Sequence, residues 1–219
     1  MRIAFDLDGT LYDAFPIIFA VNQHIREILG YPPMTAEDYI RNFQTRDWTL
    51  LYKSLGISEC DIEKVIALFT QEFAQTDPPQ LIPHGKEAII KAFTALGLEH
   101  VFFITNDPMN RVRKRFQRDD LEQLLLRVKT PFQGKSQELF TLASQESSAP
   151  FVYIGDLVSD GEDCAEARHM GAHNVFFYGM THPYAMNHPD AMERFVSQHP
   201  SFAKTLKTIE AIDTLWNQS

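Results

Sequence analysis

The stretch Ile3-Ala4-Phe5-Asp6-Leu7-Asp8-Gly9-Thr10-Leu11 decides how this 219-residue chain is read. Three successive apolar residues followed at once by acidic and turn-forming ones have the composition of a short strand buried on both faces. Strand side chains alternate with a period of two, so Asp6 and Asp8, just past Phe5, can project to the same side. Two carboxylates so placed repel each other. A divalent cation offsets that repulsion and invites a third oxygen ligand.

Val101-Phe102-Phe103-Ile104, Phe151-Val152-Tyr153-Ile154 and Val175-Phe176-Phe177-Tyr178 repeat the pattern of short, continuously apolar runs. Segments long enough for helices separate them, which predicts an α/β fold with a Rossmann-like parallel sheet flanked by helices. Leu126-Arg127-Val128-Lys129 is a weaker fifth strand, because it carries charges. The strong strands end in Asp6-Leu7-Asp8, Thr105-Asn106-Asp107 and Gly155-Asp156, where an open α/β sheet assembles its ligand site. Asp156 is thereby placed as the third carboxylate.

From about Asp13 to Leu81 the apolar period becomes helical, as in Ile17, Ile18, Val21, Ile25, Ile28 and Leu29, with no convincing strand. Tyr31-Pro32-Pro33, Gly56 and Asp77-Pro78-Pro79 break this stretch into separate helices. The expected organisation is a core of residues 1–13 and 82–219 carrying a helical insert at 14–81. Phe202 to Trp216 has helical periodicity and is expected to pack on the core, while 179–199, rich in His and Pro, has no assigned role.

A net charge of −9 argues against nucleic acid as a partner, since a polyanion is repelled overall. Cys60 and Cys164 form no CxxC or Cys/His spacing, so neither a disulfide framework nor a zinc site is indicated, and a reducing cytoplasm fits best. There is no signal-peptide layout at the start and no apolar run long enough to span a bilayer, so membrane association is not expected.

The run Phe5-Asp6-Leu7-Asp8-Gly9-Thr10-Leu11 resembles the first motif of the haloacid dehalogenase superfamily, and the rest of the chain agrees in order. Phe102-Phe103-Ile104-Thr105-Asn106 is similar to the second motif, Gly134-Lys135-Ser136 to the third and Phe151-Val152-Tyr153-Ile154-Gly155-Asp156 to the fourth. Lys129 is the runner-up for the third-motif lysine. Leu81-Ile82-Pro83-His84-Gly85 is similar to the re-entry segment behind a helical cap, the layout of phosphoglycolate-phosphatase-like members. The chain departs from the pattern in the fourth motif, where the spacing from Asp156 selects Asp160 as the next acid and the spacing back from Gly171 selects Asp163.

The resemblance implies a Mg²⁺-dependent phosphatase of a small phosphorylated metabolite. Asp6 is then the nucleophile and Asp8 the general acid/base, with Thr105, Asn106 and Lys135 binding the phosphoryl group. Asp6, Asp8 through its backbone carbonyl, Asp156 and Asp160 or Asp163 serve the metal, and Arg46 in the insert is a candidate for substrate contact. A sugar phosphomutase and a non-catalytic scaffold stand beside this as alternatives. The basic cluster Arg111, Arg113, Lys114, Arg115 and Arg118 is expected to be a solvated helix face, balanced by Asp119, Asp120 and Glu122. His84, His169, His173, His182 and His188 show no ligand spacing, and Cys164 reads as a small packed residue.

Overall fold

A computed structural model describes residues 1–43, 47–131 and 134–215. In chain order the regular elements are β1 (Arg2–Phe5), β2 (Tyr12–Asp13), α1 (Phe15–Ile28), α2 (Ala36–Asn42), α3 (Trp48–Ser54), α4 (Ile62–Gln75) and β3 (Gln80–Leu81). Then follow α5 (Gly85–Leu96), β4 (Val101–Ile104), α6 (Met109–Arg118), β5 (Val128–Lys129), α7 (Lys135–Ser144) and β6 (Phe151–Gly155). The chain continues with α8 (Val158–His169), β7 (Val175–Met180), α9 (Pro189–Gln198) and β8 (Ala203–Leu206).

Among the described residues, six strands form a parallel sheet in the order β5-β4-β1-β6-β7-β8. The apolar runs of β1, β4 and β6 are unbroken because these strands are covered on both sides. Ile3, Phe5, Val101, Phe103, Val152 and Ile154 pack on one face, against α5 and α6. Ala4, Phe102, Ile104, Phe151 and Tyr153 pack on the other, against α7, α8 and α9. This is the period of two expressed in three dimensions.

Helices α1 to α4 lie between β2 and β3, which pair antiparallel with Tyr12 opposite Leu81 and Asp13 opposite Gln80. The sequence showed no strand there, and two residues per strand are too few to show a period. These helices have an apolar core of their own, built on Ile18, Val21, Ile25, Tyr39, Leu51, Tyr52 and Val65.

Two expectations are corrected. The fifth strand is only Val128–Lys129, and Leu126 and Arg127 belong to a 3₁₀ turn in which Leu126 is exposed. The segment after Phe202 is not a helix from its start. Ala203–Leu206 adds a parallel edge strand to β7, and a 3₁₀ helix, Ile209–Thr214, follows. Ile209 and Ile212 lie three apart, the repeat of a 3₁₀ turn, which a short window does not separate from 3.6. Trp216 lies outside the described residues. The unassigned 179–199 segment supplies the end of β7, a loop, and all of α9.

Candidate active site

Asp6, Thr105 and Asp156 each sit one residue beyond a strand, on the three neighbouring strands β1, β4 and β6 at the centre of the sheet. The sheet ladder itself places them. The Asp6 amide donates to the Ile154 carbonyl at 2.8 Å and the Thr105 amide to the Lys129 carbonyl at 3.1 Å. After Asp6 the chain reverses tightly, the Leu7 carbonyl accepting from the amides of Leu11 and Tyr12 at 2.8 and 2.9 Å. Gly9 in this turn has φ +76°, and a Cβ on it would fall 2.1 Å from Asp156 Oδ2. Only glycine admits the Asp156 carboxylate so close to the backbone.

Asp6, Asp156 and Asp160 are buried and bring carboxylate oxygens within 4.8 Å of one another. Lys135, at the first turn of α7, puts Nζ 2.9 Å from Asp6 Oδ1 and 2.8 Å from Asp160 Oδ1. Burial pushes the Asp6 carboxyl up to about 7, with Lys135 opposing the rise and Asp160 adding to it. Burial, then Asp160 and Asp6, hold Asp156 well above the carboxylate range. For Lys135, burial disfavours the ammonium, but Asp160 and Asp6 more than offset it and hold the pKa above the ordinary lysine value. One cation facing three buried carboxylates leaves an excess of negative charge. An all-oxygen, anionic donor set of this kind suits a hard divalent ion.

Asp6 and Lys135 floor a cavity of about 400 Å³ whose lining also includes Asp8, Thr105 and Asn106. The opposite wall comes from the insert and is apolar, with Ile18, Phe43, Trp48, Leu51, Ile66, Phe69 and Phe73. Met186, from the loop after β7, closes one side, and its amide donates to Asp156 Oδ2 at 2.6 Å.

The haloacid dehalogenase-like hydrolase family matches residues 3–173, most of the chain. The chain belongs to the haloacid dehalogenase-like hydrolases. It is 28% identical over 168 residues to a phosphoglycolate phosphatase of Synechococcus elongatus, covering 73% of this chain and 76% of the relative. A haloacid dehalogenase-like hydrolase structure from Streptococcus pneumoniae superposes with TM-score 0.72 at 17% identity, covering 97% of this chain and 96% of the other. A haloacid dehalogenase family hydrolase from Deinococcus radiodurans, solved with phosphate and sodium bound, gives TM-score 0.67 at 19% identity, covering 96% and 92%. Likeness at these identities establishes the fold.

Within this hydrolase, Asp6, Asp8, Thr105, Asn106 and Lys135 meet at one cavity, and Asp156 and Asp160 join Asp6 beneath it. Asp160 also caps α8, its Oδ2 accepting from the Leu157 amide at 3.1 Å. Asp163 is buried further along α8 and is not part of that three-carboxylate cluster. Lys129 contributes a backbone carbonyl to Thr105 and does not line the cavity. Arg46 lies outside the described residues. His182 is a packing residue, accepting from the Tyr184 amide through Nδ1 with Nε2 3.3 Å from the Thr10 carbonyl.

The hydrolase departs from its sequence reading at α6. Arg113 and Lys114 are exposed as expected, but Arg111 and Arg115 are buried. Arg115 Nη1 donates to Asp8 Oδ1 at 2.8 Å, and Nη2 to Asp107 Oδ2. The signal was present in the spacing. Arg111 and Arg115 adjoin Val112 and Phe116, the inward apolar stripe of α6, and Asp107 precedes Arg111 by one helical turn. Met186 carried no such signal, since nothing in its neighbourhood distinguishes a loop that folds back on the sheet from one that does not.

Proposed function

We propose that this hydrolase is a Mg²⁺-dependent phosphatase of small phosphorylated metabolites and that Asp6 is its nucleophile. The observation that carries this reading is the Asp6 carboxylate held 2.9 Å from Lys135 on a cavity floor shared with Asp8 and Thr105. The named activity of the Synechococcus relative and the phosphate held by the Deinococcus structure support it.

Asp6 attacks phosphorus, forming an aspartyl-phosphate as the ester P–O bond breaks, and Asp8 gives its proton to the departing oxygen. Water then attacks the aspartyl-phosphate, Asp8 takes its proton, and phosphate leaves with Asp6 regenerated. Lys135 and the Thr105 hydroxyl stabilise charge on the phosphoryl oxygens, and Asn106 borders them. Asp6 and Asp156, with Asp160 beside them and the Asp8 backbone carbonyl, are the groups that would hold Mg²⁺. When bound, the ion supplies Lewis-acid stabilisation of the phosphoryl charge. Residues 14–81 act as a cap whose apolar wall keeps water from the cavity, on a core of 1–13 and 82–219.

The test is phosphate release from a panel of phosphomonoesters, phosphoglycolate and p-nitrophenyl phosphate included, with Mg²⁺ or EDTA. We expect turnover that needs Mg²⁺ and falls to background in Asp6→Asn. Turnover that persists in Asp6→Asn, or a folded wild type inert on the whole panel, would overturn the reading.

A further inference from the structure

The arginines of α6 form a buried ion chain that ends on Asp8. Arg111 Nε donates to Asp107 Oδ1 at 3.1 Å, Arg115 Nη2 donates to Asp107 Oδ2, and Arg115 Nη1 reaches Asp8 Oδ1 at 2.8 Å. With Asp107 and Asp8 both ionised, two guanidiniums balance two carboxylates. Its far end is anchored where α4 finishes, Arg111 Nη1 donating to the Phe73 and Thr76 carbonyls with its guanidinium 4.0 Å from the centre of the Phe73 ring.

The Arg115 side chain is fully buried. Asp107 holds one limb of its rigid fork, and the Tyr12 ring lies 4.9 Å from its centre. The Asp107 carboxylate already has a partner in Arg111, so neutralising Asp107 does not require Arg115. What Arg115 adds is the second limb, aimed at an acidic side chain that opens on the cavity. Because the limb takes Oδ1, Oδ2 is the oxygen available to carry a proton.

We propose that Arg115 is the positioning residue for Asp8: by gripping Oδ1 from a fixed guanidinium it turns Oδ2 toward the leaving-group oxygen. This rests on reading Asp8 as the general acid. In the first displacement the Asp6–phosphorus bond forms, the ester P–O bond breaks, and the proton on Asp8 Oδ2 passes to the departing alkoxide. A p-nitrophenolate departs without that proton, which separates positioning from mere structural support.

The experiment compares kcat/KM for phosphoglycolate and for p-nitrophenyl phosphate in wild type, Arg115→Met and Arg115→Lys, with thermal melts of each. Positioned acid–base catalysis contributes on the order of 100-fold or more. In Arg115→Met we therefore expect about a 100-fold loss on phosphoglycolate and less than about a tenfold loss on p-nitrophenyl phosphate, with partial recovery of the alkyl ester in Arg115→Lys. If Arg115→Met does not fold, the ratio is read in Arg115→Lys, whose single ammonium cannot span Asp8 and Asp107, and a clear drop is expected. An unchanged ratio in the folded variant, with wild type active on both esters, overturns the positioning role and leaves the phosphatase reading standing. A folded wild type inert on the whole phosphomonoester panel overturns the two together.

Discussion

Asp156 is held by contacts that permit little change at Gly9. Its Oδ2 accepts from the Met186 amide, Thr10 Oγ1 lies 3.3 Å from its Oδ1, and Gly9 passes where a Cβ would meet the carboxylate. Gly9→Ala forces a side chain into left-handed backbone, worth roughly 1–3 kcal/mol by itself, and displaces Asp156 as well. The expected outcome is a lower melting temperature together with loss of stabilisation by added Mg²⁺. A variant that melts lower yet gains as much from Mg²⁺ as wild type would mean that Asp156 is not a metal ligand. Arg115 on a helix surface would contribute almost nothing, whereas here, fully buried, it bridges the buried Asp107 and the partly exposed Asp8.

Among the elements, β8 has more structural weight than its four residues suggest. It pairs with β7 from Phe177 opposite Ala203 to Met180 opposite Leu206, and the following Ile209 and Ile212 are buried against the face that carries Ile3 and Phe5. A chain ended at Phe202 would uncover the edge of β7, a long apolar strand with unpaired amides and carbonyls, together with the patch beneath Ile212. We expect such a truncation to lose its cooperative thermal transition and to scatter light on standing, as followed by circular dichroism and light scattering. Full solubility with an unshifted transition would show that the edge strand is dispensable.

For the molecule as a whole, the buried carboxylates make stability depend on pH and on metal together. Asp6 rises from an ordinary value of 3.8 to about 7 in the fold, so between those values the folded state binds more protons than the unfolded one. Stability contributed this way is complete below the lower value and is lost as pH rises through the upper one. Asp156 shifts in the same direction. A cation bound to the ionised carboxylates reverses the loss, so the rise in melting temperature produced by Mg²⁺ over EDTA should be larger at pH 8 than at pH 5.5. Equal rises at the two pH values would show that these acids do not hold the ion. The sequence alone determined the central strands and the acids and hydroxyl at their ends, because a strand buried on both faces must be apolar throughout and a parallel sheet gathers its strand ends. It marked Lys135 by its order among the motifs and left both Asp160 and Asp163 open, with Asp160 slightly favoured. Only the tertiary structure grouped Asp160 with Asp6 and Asp156, added β8 as an edge strand, folded Met186 onto Asp156, and buried Arg111 and Arg115 against Asp107 and Asp8. Each of those depends on which surfaces come to face one another, and a charged residue has the same local spacing whether water or a carboxylate awaits it.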